Sequence, residues 1–230
     1  FIVIMAVWLY KISTKSGQFD IVKDSIASIS QDQRIQLLLI GFVFNAFLEG
    51  AAGFGVPIAI CAVLLTQLGF KPLEAAMYCL VGNAAAGAYG AVGIPVAIID
   101  TLNLSGDVSA TEVALIGNLT LGFISFFVPF LLIFMIDGFR GIKEILPSIL
   151  VVSVTYTFLQ VIITSFAGPE LADIIPGLVA MVALALFSSK FQPKNIFRLQ
   201  QNEEPKRVAK HSFKKIVYAW SPFIILTVIV

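Results

Sequence analysis

Asn45-Ala-Phe-Leu-Glu49-Gly-Ala-Ala-Gly-Phe-Gly55-Val-Pro57 interrupts one strongly apolar run, and Gly82-Asn-Ala-Ala-Ala-Gly87-Ala-Tyr-Gly90-Ala-Val-Gly93-Ile-Pro95 interrupts the next. In hydrocarbon every backbone N–H and C=O must find a partner, and irregular main chain survives there only where protein covers it or where it lines a wet cavity. Two small-residue breaks in neighbouring segments, one carrying a carboxylate, predict a place where something polar is held and moved.

The chain around these breaks is suited to lipid. Apolar residues make up 58% of it and charged residues 13%, with a mean hydropathy of +0.95, far from a soluble domain's balance. It reads as an all-α integral membrane protein. It starts and ends inside apolar runs, so it is expected to be an internal piece of a longer polypeptide, a single transmembrane domain over 1–230 that is incomplete at both ends. The net charge of +1 argues against a nucleic-acid partner. Cys61 and Cys79 lack metal-ligand spacing and read as small packing residues. No phosphate-binding loop and no Gly-x-Ser-x-Gly elbow is present, so neither an ATP-driven pump nor a hydrolase is indicated, and no metal or cofactor is expected.

Spans of roughly 20 apolar residues fall at 75–99, 113–136, 145–166 and 171–189, with the tail of another at 1–10 and the start of one at 216–230. Lys11, Lys15, Lys23, Arg34 and Lys71 mark the first connections, Arg140 and Lys143 a later one, and 190–215 carries eight basic residues. The 100–112 and 167–170 connections carry none. The positive-inside rule orders these loops in, in, out, in, out, in. Both ends of 35–70 then lie on the cytoplasmic side. Its first half, 35–48, would be about 21 Å long as a helix against a core of about 30 Å, so a re-entrant hairpin is the preferred reading and two short tilted spans the alternative. Phe19, Val22, Ile26 and Ile29 recur at helical spacing within 11–34, which predicts a helix in the cytoplasmic interface. His211, in the basic loop, reads as solvated, and Asn103-Leu-Ser105 matches a glycosylation triplet that arises often by chance.

Glu49 is the sharpest signal, because a charge at bilayer depth is rare unless solvated, paired or protonated. Burial favours a neutral carboxyl, so Glu49 reads either as a proton-coupling group or as a structural cap. Gly53 and Gly55 let the chain turn and approach a ligand, and Pro57 suits the first turn of a half-helix whose free N–H groups would face an anion. Asn45, one turn before Glu49, shares its face and is placed to bond a substrate hydroxyl or Glu49 itself. Asn83, Gly87 and Gly90, followed by Gly93 and Pro95, make a continuous helix over 75–99 doubtful, although glycines also line plain helix contacts in membranes. Tyr89 reads mainly as packing. The predicted substrate-binding set is therefore Asn45, Gly53, Gly55, Pro57, Asn83, Gly87 and Gly90.

Carried by Phe-Leu-Glu49-Gly-Ala-Ala-Gly-Phe-Gly55-Val-Pro57-Ile-Ala and Gly82-Asn83-Ala-Ala, the chain resembles the bacterial L-lactate permease family over nearly its whole length. Val56 departs from the small or hydroxylated residue expected there in some relatives. The resemblance implies a polytopic bundle similar to ion transporters, with a re-entrant hairpin and a discontinuous helix. It also implies uptake of L-lactate, and of glycolate, with a proton across the bacterial cytoplasmic membrane, by a polypeptide more than twice as long. A homo-oligomer is compatible with it. A carrier for a dicarboxylate or gluconate, or a membrane scaffold subunit, remain the alternatives. A scaffold needs no broken helices, and an intramembrane enzyme would need more than one lone Glu49 in its core.

Overall fold

A computed structural model describes residues 8, 11–53, 55–102, 108–191, 193–199 and 211–229, and every regular element among them is helical. Most of the expected 1–10 helix tail, Phe54, the Asn103 triplet and much of the basic 190–215 loop lie outside these residues.

At the centre stands one helical rod, Gln33–Ala51, entirely buried. Its 19 residues reach about 28 Å, longer than the apolar 35–48 run suggests, because Asp32 caps the start by accepting the Arg34 N–H at 2.9 Å and polar Gln33, Arg34 and Gln36 extend the first turns. Leu37–Phe44 within it is wound as π-helix. The Asn45 N–H donates to the Ile40 carbonyl, and the Asn45 Nδ2 donates to the Gly41 carbonyl at 3.3 Å. Wide turns of this kind need such side-chain help and often mark functional sites.

Apolar side chains gain nothing by leaving lipid tails for one another, so helices in a membrane associate through close packing and hydrogen bonds. The glycines supply the closeness here. A methyl on Gly82 would collide with the Gly41 carbonyl, and one on Gly177 would sit 2.8 Å from the Phe47 nitrogen. Pro72–Asn83 and Ile174–Lys190 thereby lie directly against the central rod. Asn45 Nδ2 adds a bond to the Cys79 carbonyl at 2.8 Å. Cys61 and Cys79 are both buried and unbridged, as packing residues should be.

The helical path Ala110–Phe166 folds back on itself at an elbow where Gly138 (φ 60°) and Ile145 leave helical geometry. Its arms match the 113–136 and 145–166 segments, and they pack side by side, Gly122 against Thr157 and Val161, Ser125 donating to Gln160 Oε1 at 2.8 Å. Their outer faces expose Leu119, Phe123, Phe127, Val154 and Phe158, a belt suited to lipid and not to water.

One end of the molecule gathers the basic connections. Arg34, 1% exposed, donates to Asp32, to Asp137 at 2.8 Å, to Glu144 at 2.7 Å and to the Asn195 carbonyl at 3.0 Å, and lies over the Phe197 ring. The sequence marks Arg34 only as loop charge; the fold makes it the bolt joining the central rod, the elbow and the 193–199 segment. Gln33 Nε2 donates to the Leu68 carbonyl at 2.8 Å, so the far end of Val56–Gln67 returns to the start of Gln33–Ala51.

Two expectations need correction. His211 is not simply solvated, since its Nε2 lies 2.8 Å from Asp24 Oδ2. The predicted interface helix exists as Gln18–Ala27, but its apolar stripe of Phe19, Val22 and Ile26 is buried against protein, Phe19 stacking near Phe44, while Ser25 accepts from Trp220 of Phe213–Ile229. Amphipathic periodicity shows that a helix has a covered face; it does not say whether lipid or protein covers it.

The elbow makes a pH prediction. Hydrogen bonds from Arg34 and then Arg140 hold the Glu144 carboxyl down to about 2 from an ordinary 4.5. A carboxyl lowered in the folded state stabilises it above the unfolded value and loses that contribution as pH falls. Thermal unfolding of the detergent-solubilised full-length protein is expected to weaken from about pH 4.5 toward about pH 2, and Glu144→Gln to flatten that part of the profile.

Candidate functional site

Three interruptions of the helical framework meet at one place. The first lies between the central rod and Val56–Gln67, where Gly53 (φ 62°) and Gly55 (φ 76°) turn the chain in the left-handed region. The second is 84–93, between Pro72–Asn83 and the short Ile94–Ala97 turn. The third is 167–173, before Ile174–Lys190.

The first two satisfy each other's main chain. The Ala91 N–H donates to the Glu49 carbonyl at 2.8 Å and the Val92 N–H to the Gly50 carbonyl at 2.7 Å. To do so Ala91 and Val92 adopt φ of 50° and 60°, conformations that non-glycine residues avoid and that a β-branched residue rarely takes. Such strain costs of order 1–3 kcal/mol per residue and persists only where the surroundings enforce it. A Cβ on Gly53 would meet the Ala91 nitrogen at 2.7 Å, and one on Gly93 the Pro169 carbonyl group at 2.5 Å. The third interruption is thus locked to the second, and through Gly50, against Ile174 and Asp173, to the first.

Within this knot the Glu49 side chain lies against Gly90, whose added Cβ would stand 2.6 Å from Oε1, while Oε2 is buried without a partner. Asn83 faces it from the end of Pro72–Asn83 and leaves its own Oδ1 unpartnered, as Asn45 does. Such buried, unsatisfied acceptors are rare and call for an occupant such as water, a proton or a ligand.

The predicted residues therefore divide. Glu49, Asn83 and Gly90 come together directly, and Gly53 packs against the neighbouring Ala91. Asn45 is adjacent, but its amide nitrogen is committed to the Gly41 and Cys79 carbonyls, not to Glu49. Gly55 and Pro57 form the start of Val56–Gln67, with Gly55 exposed and open space beside it; Gly87 is exposed too. Tyr89 does more than pack, its hydroxyl lying 3.0 Å from both the Ala114 carbonyl and Asn118 Oδ1.

Sequence reading passed over a second buried carboxyl, Asp173. Tyr156 donates to its Oδ1 at 2.8 Å and Gln160 at 3.0 Å, and Gln160 also accepts from Ser125. The signal was there. Asp173-Ile-Ile-Pro176-Gly177, preceded by Gly168-Pro169, repeats the carboxylate, glycine and proline signature of 49–57. It was absorbed into an apolar span because the surrounding residues are hydrophobic. Among the described residues no group of three or more His, Cys, Asp and Glu side chains is arranged to hold a metal.

Long helices with exposed apolar faces, around a buried core that holds unsatisfied polar atoms, make an all-helical molecule of the kind that polytopic membrane proteins build. The L-lactate permease family matches residues 1–230, and the chain belongs to that family. It is 60% identical over 230 residues to an L-lactate permease of Halalkalibacterium halodurans, covering all of this chain and 44% of the relative. It is 43% identical over 239 residues to an L-lactate permease of Bacillus subtilis (100% of this chain, 42% of the relative), and 44% identical over 245 residues to the glycolate permease GlcA of Escherichia coli (100% and 43%). The chain thus spans less than half the length of these curated relatives. No solved structure matches it significantly.

The packing around the glycines separates two substitutions. Gly53→Ala must adopt positive φ and drive a methyl into backbone, so it is expected to lower stability by about 1–3 kcal/mol. Gly87→Ala, whose nearest contact would be 3.6 Å, should change it by no more than about 0.5 kcal/mol. Melting of the two variants of the full-length protein in detergent checks the contrast; equal effects would contradict the packing.

Proposed function

We propose that the chain forms part of a secondary carrier that moves L-lactate, and glycolate, together with a proton across the bacterial cytoplasmic membrane. The observation that carries this reading is the meeting of three interrupted segments around a Glu49 carboxyl that is 5% exposed and has one oxygen unpartnered. Family membership and the names of the relatives supply the substrate class. Lactate and glycolate share a 2-hydroxy carboxylate, so one pocket suits both.

The basic end, where Arg34 binds the elbow, is the cytoplasmic one by the positive-inside rule. Measured from Glu144, Tyr156 and Gln160 stand about 18 and 24 Å along their helix, within a hydrocarbon core of about 30 Å. Gln33–Ala51 and Val56–Gln67 make the re-entrant hairpin, supported by the return of Leu68 to Gln33 and by the complete burial of the first arm. Pro72–Asn83 and Ile94–Ala97 are the halves of the discontinuous helix. The substrate carboxylate is received at the positive dipole end of Val56–Gln67, beside Gly53, Gly55 and Pro57, with Asn45, Asn83, Gly87 and Gly90 lining the remainder.

Arg34 is the buried cation among the described residues, and it is fully engaged at the other end. The anion's charge is therefore met by backbone dipoles and by a proton on Glu49. Moving one proton with one lactate leaves the step electroneutral, so the membrane potential does not oppose it.

Proteoliposomes holding the full-length protein test this. A one-unit inward pH gradient is expected to drive up to about tenfold accumulation of labelled lactate, one unit being about 1.36 kcal/mol. Glu49→Gln should abolish the accumulation while lactate exchange persists at a measurable rate. Accumulation indifferent to the gradient in the wild type, or unchanged in the variant, would contradict the coupling.

A further inference from the structure

We infer that Asp173 is a second protonation site of the pocket, paired with Glu49 so that the two carboxyls are not ionised together. The role in transport rests on the carrier reading above; the chemistry of the site does not.

The geometry is that of a neutral acid. Asp173 is fully buried, and its Oδ1 accepts from both the Tyr156 hydroxyl, at 2.8 Å, and Gln160 Nε2, at 3.0 Å. Its Oδ2 is buried with no partner. An ionised Asp173 would leave a charged, buried oxygen unsatisfied, which costs more than a neutral hydroxyl left in the same place. Asp173 also occupies the N-cap position of Ile174–Lys190 without capping it. An aspartate there usually accepts a helix N–H; this one turns its oxygens to Tyr156 and Gln160 instead.

Among the described residues, the groups that face it hold no positive charge. From the central rod comes Gly50, on which a Cβ would lie 3.0 Å from the Asp173 Cβ, and this contact brings the neighbouring Glu49 within electrostatic reach. From the 145–166 arm come Tyr156 and neutral Gln160, and from the second interruption Tyr89. Two ionised carboxylates sharing such a space repel, and one of them keeps its proton. When Asp173 ionises, the O–H bond at Oδ2 breaks, the electron pair stays on the carboxylate, and the proton passes to water in the pocket or to an ionised Glu49. The pocket thereby holds one proton on either of two acids, which lets Glu49 change charge without leaving the pocket with two negative groups.

Infrared difference spectroscopy of the full-length protein at neutral pH tests the site independently of transport. Wild type minus Asp173→Asn is expected to contain the carbonyl stretch of a protonated carboxylic acid; a difference containing only carboxylate bands would overturn the inference. Should that variant fold poorly, Tyr156→Phe serves instead, since it leaves Asp173 in place and removes one donor. The acid band is then expected to persist but shift, and its absence or an unmoved band would overturn the inference. In proteoliposomes, lactate exchange by the wild type should show one protonation step with pH, and Asp173→Asn should move it; an unchanged profile counts against the pairing. If the wild type shows no gradient-driven lactate accumulation, the carrier reading fails, while the infrared result still decides the state of Asp173.

Discussion

Main chain that leaves a helix inside a packed core must find hydrogen-bond partners there, and here the two principal interruptions find them in each other. The Ala91 and Val92 N–H groups reach the Glu49 and Gly50 carbonyls, at the expense of backbone conformations that neither residue would adopt alone. That pair of bonds fixes where the tip of 33–67 stands relative to the gap in 72–97. The glycines at 50, 53, 82, 90, 93 and 177 are small because backbone or the Glu49 side chain passes within a methyl's reach of each. Replacing this mutual satisfaction with continuous helix would close the pocket and remove the reason for its glycines.

A second constraint acts at the opposite end. Arg34 gathers three carboxylates and a carbonyl, tying the buried rod to the elbow between the two lipid-facing arms. Breaking one partner of a buried ionic cluster is costly because it strands the others. The rod is therefore held at both ends: by ionic bonds near the basic loops and by backbone bonds near Glu49. Between them lies the π-helical stretch 37–44, where the winding is least regular.

Much of this could be read in advance because lipid leaves few options. Apolar length marks the two arms of 110–166, and glycine and proline mark the non-helical turns at Gly53, Gly55 and 84–93. What escaped did so for physical reasons. Asp173 sits in a turn whose neighbours are all apolar, so a hydropathy window averages it away, and its partners Tyr156 and Gln160 come from another helix. Arg34 looks like a topology charge until the elbow at 137–144 folds over it. The stripe of Phe19, Val22 and Ile26 is equally suited to a membrane surface and to a protein groove, and only the position of Trp220 and Phe44 decides between them. The strain at Val92 has no sequence signature at all, since valine is ordinarily the last residue to be placed at positive φ.

The central claim is that the broken segments enclose a polar pocket at Glu49 that receives a 2-hydroxy carboxylate. A cryo-EM structure of the full-length protein in a lipid nanodisc with L-lactate addresses it most directly. The account predicts ligand density between the start of Val56–Gln67 and Asn83, within hydrogen-bond reach of Glu49, with the Ala91 and Val92 bonds intact. Lactate bound elsewhere, with 45–57 and 82–95 running as unbroken helices, would contradict it.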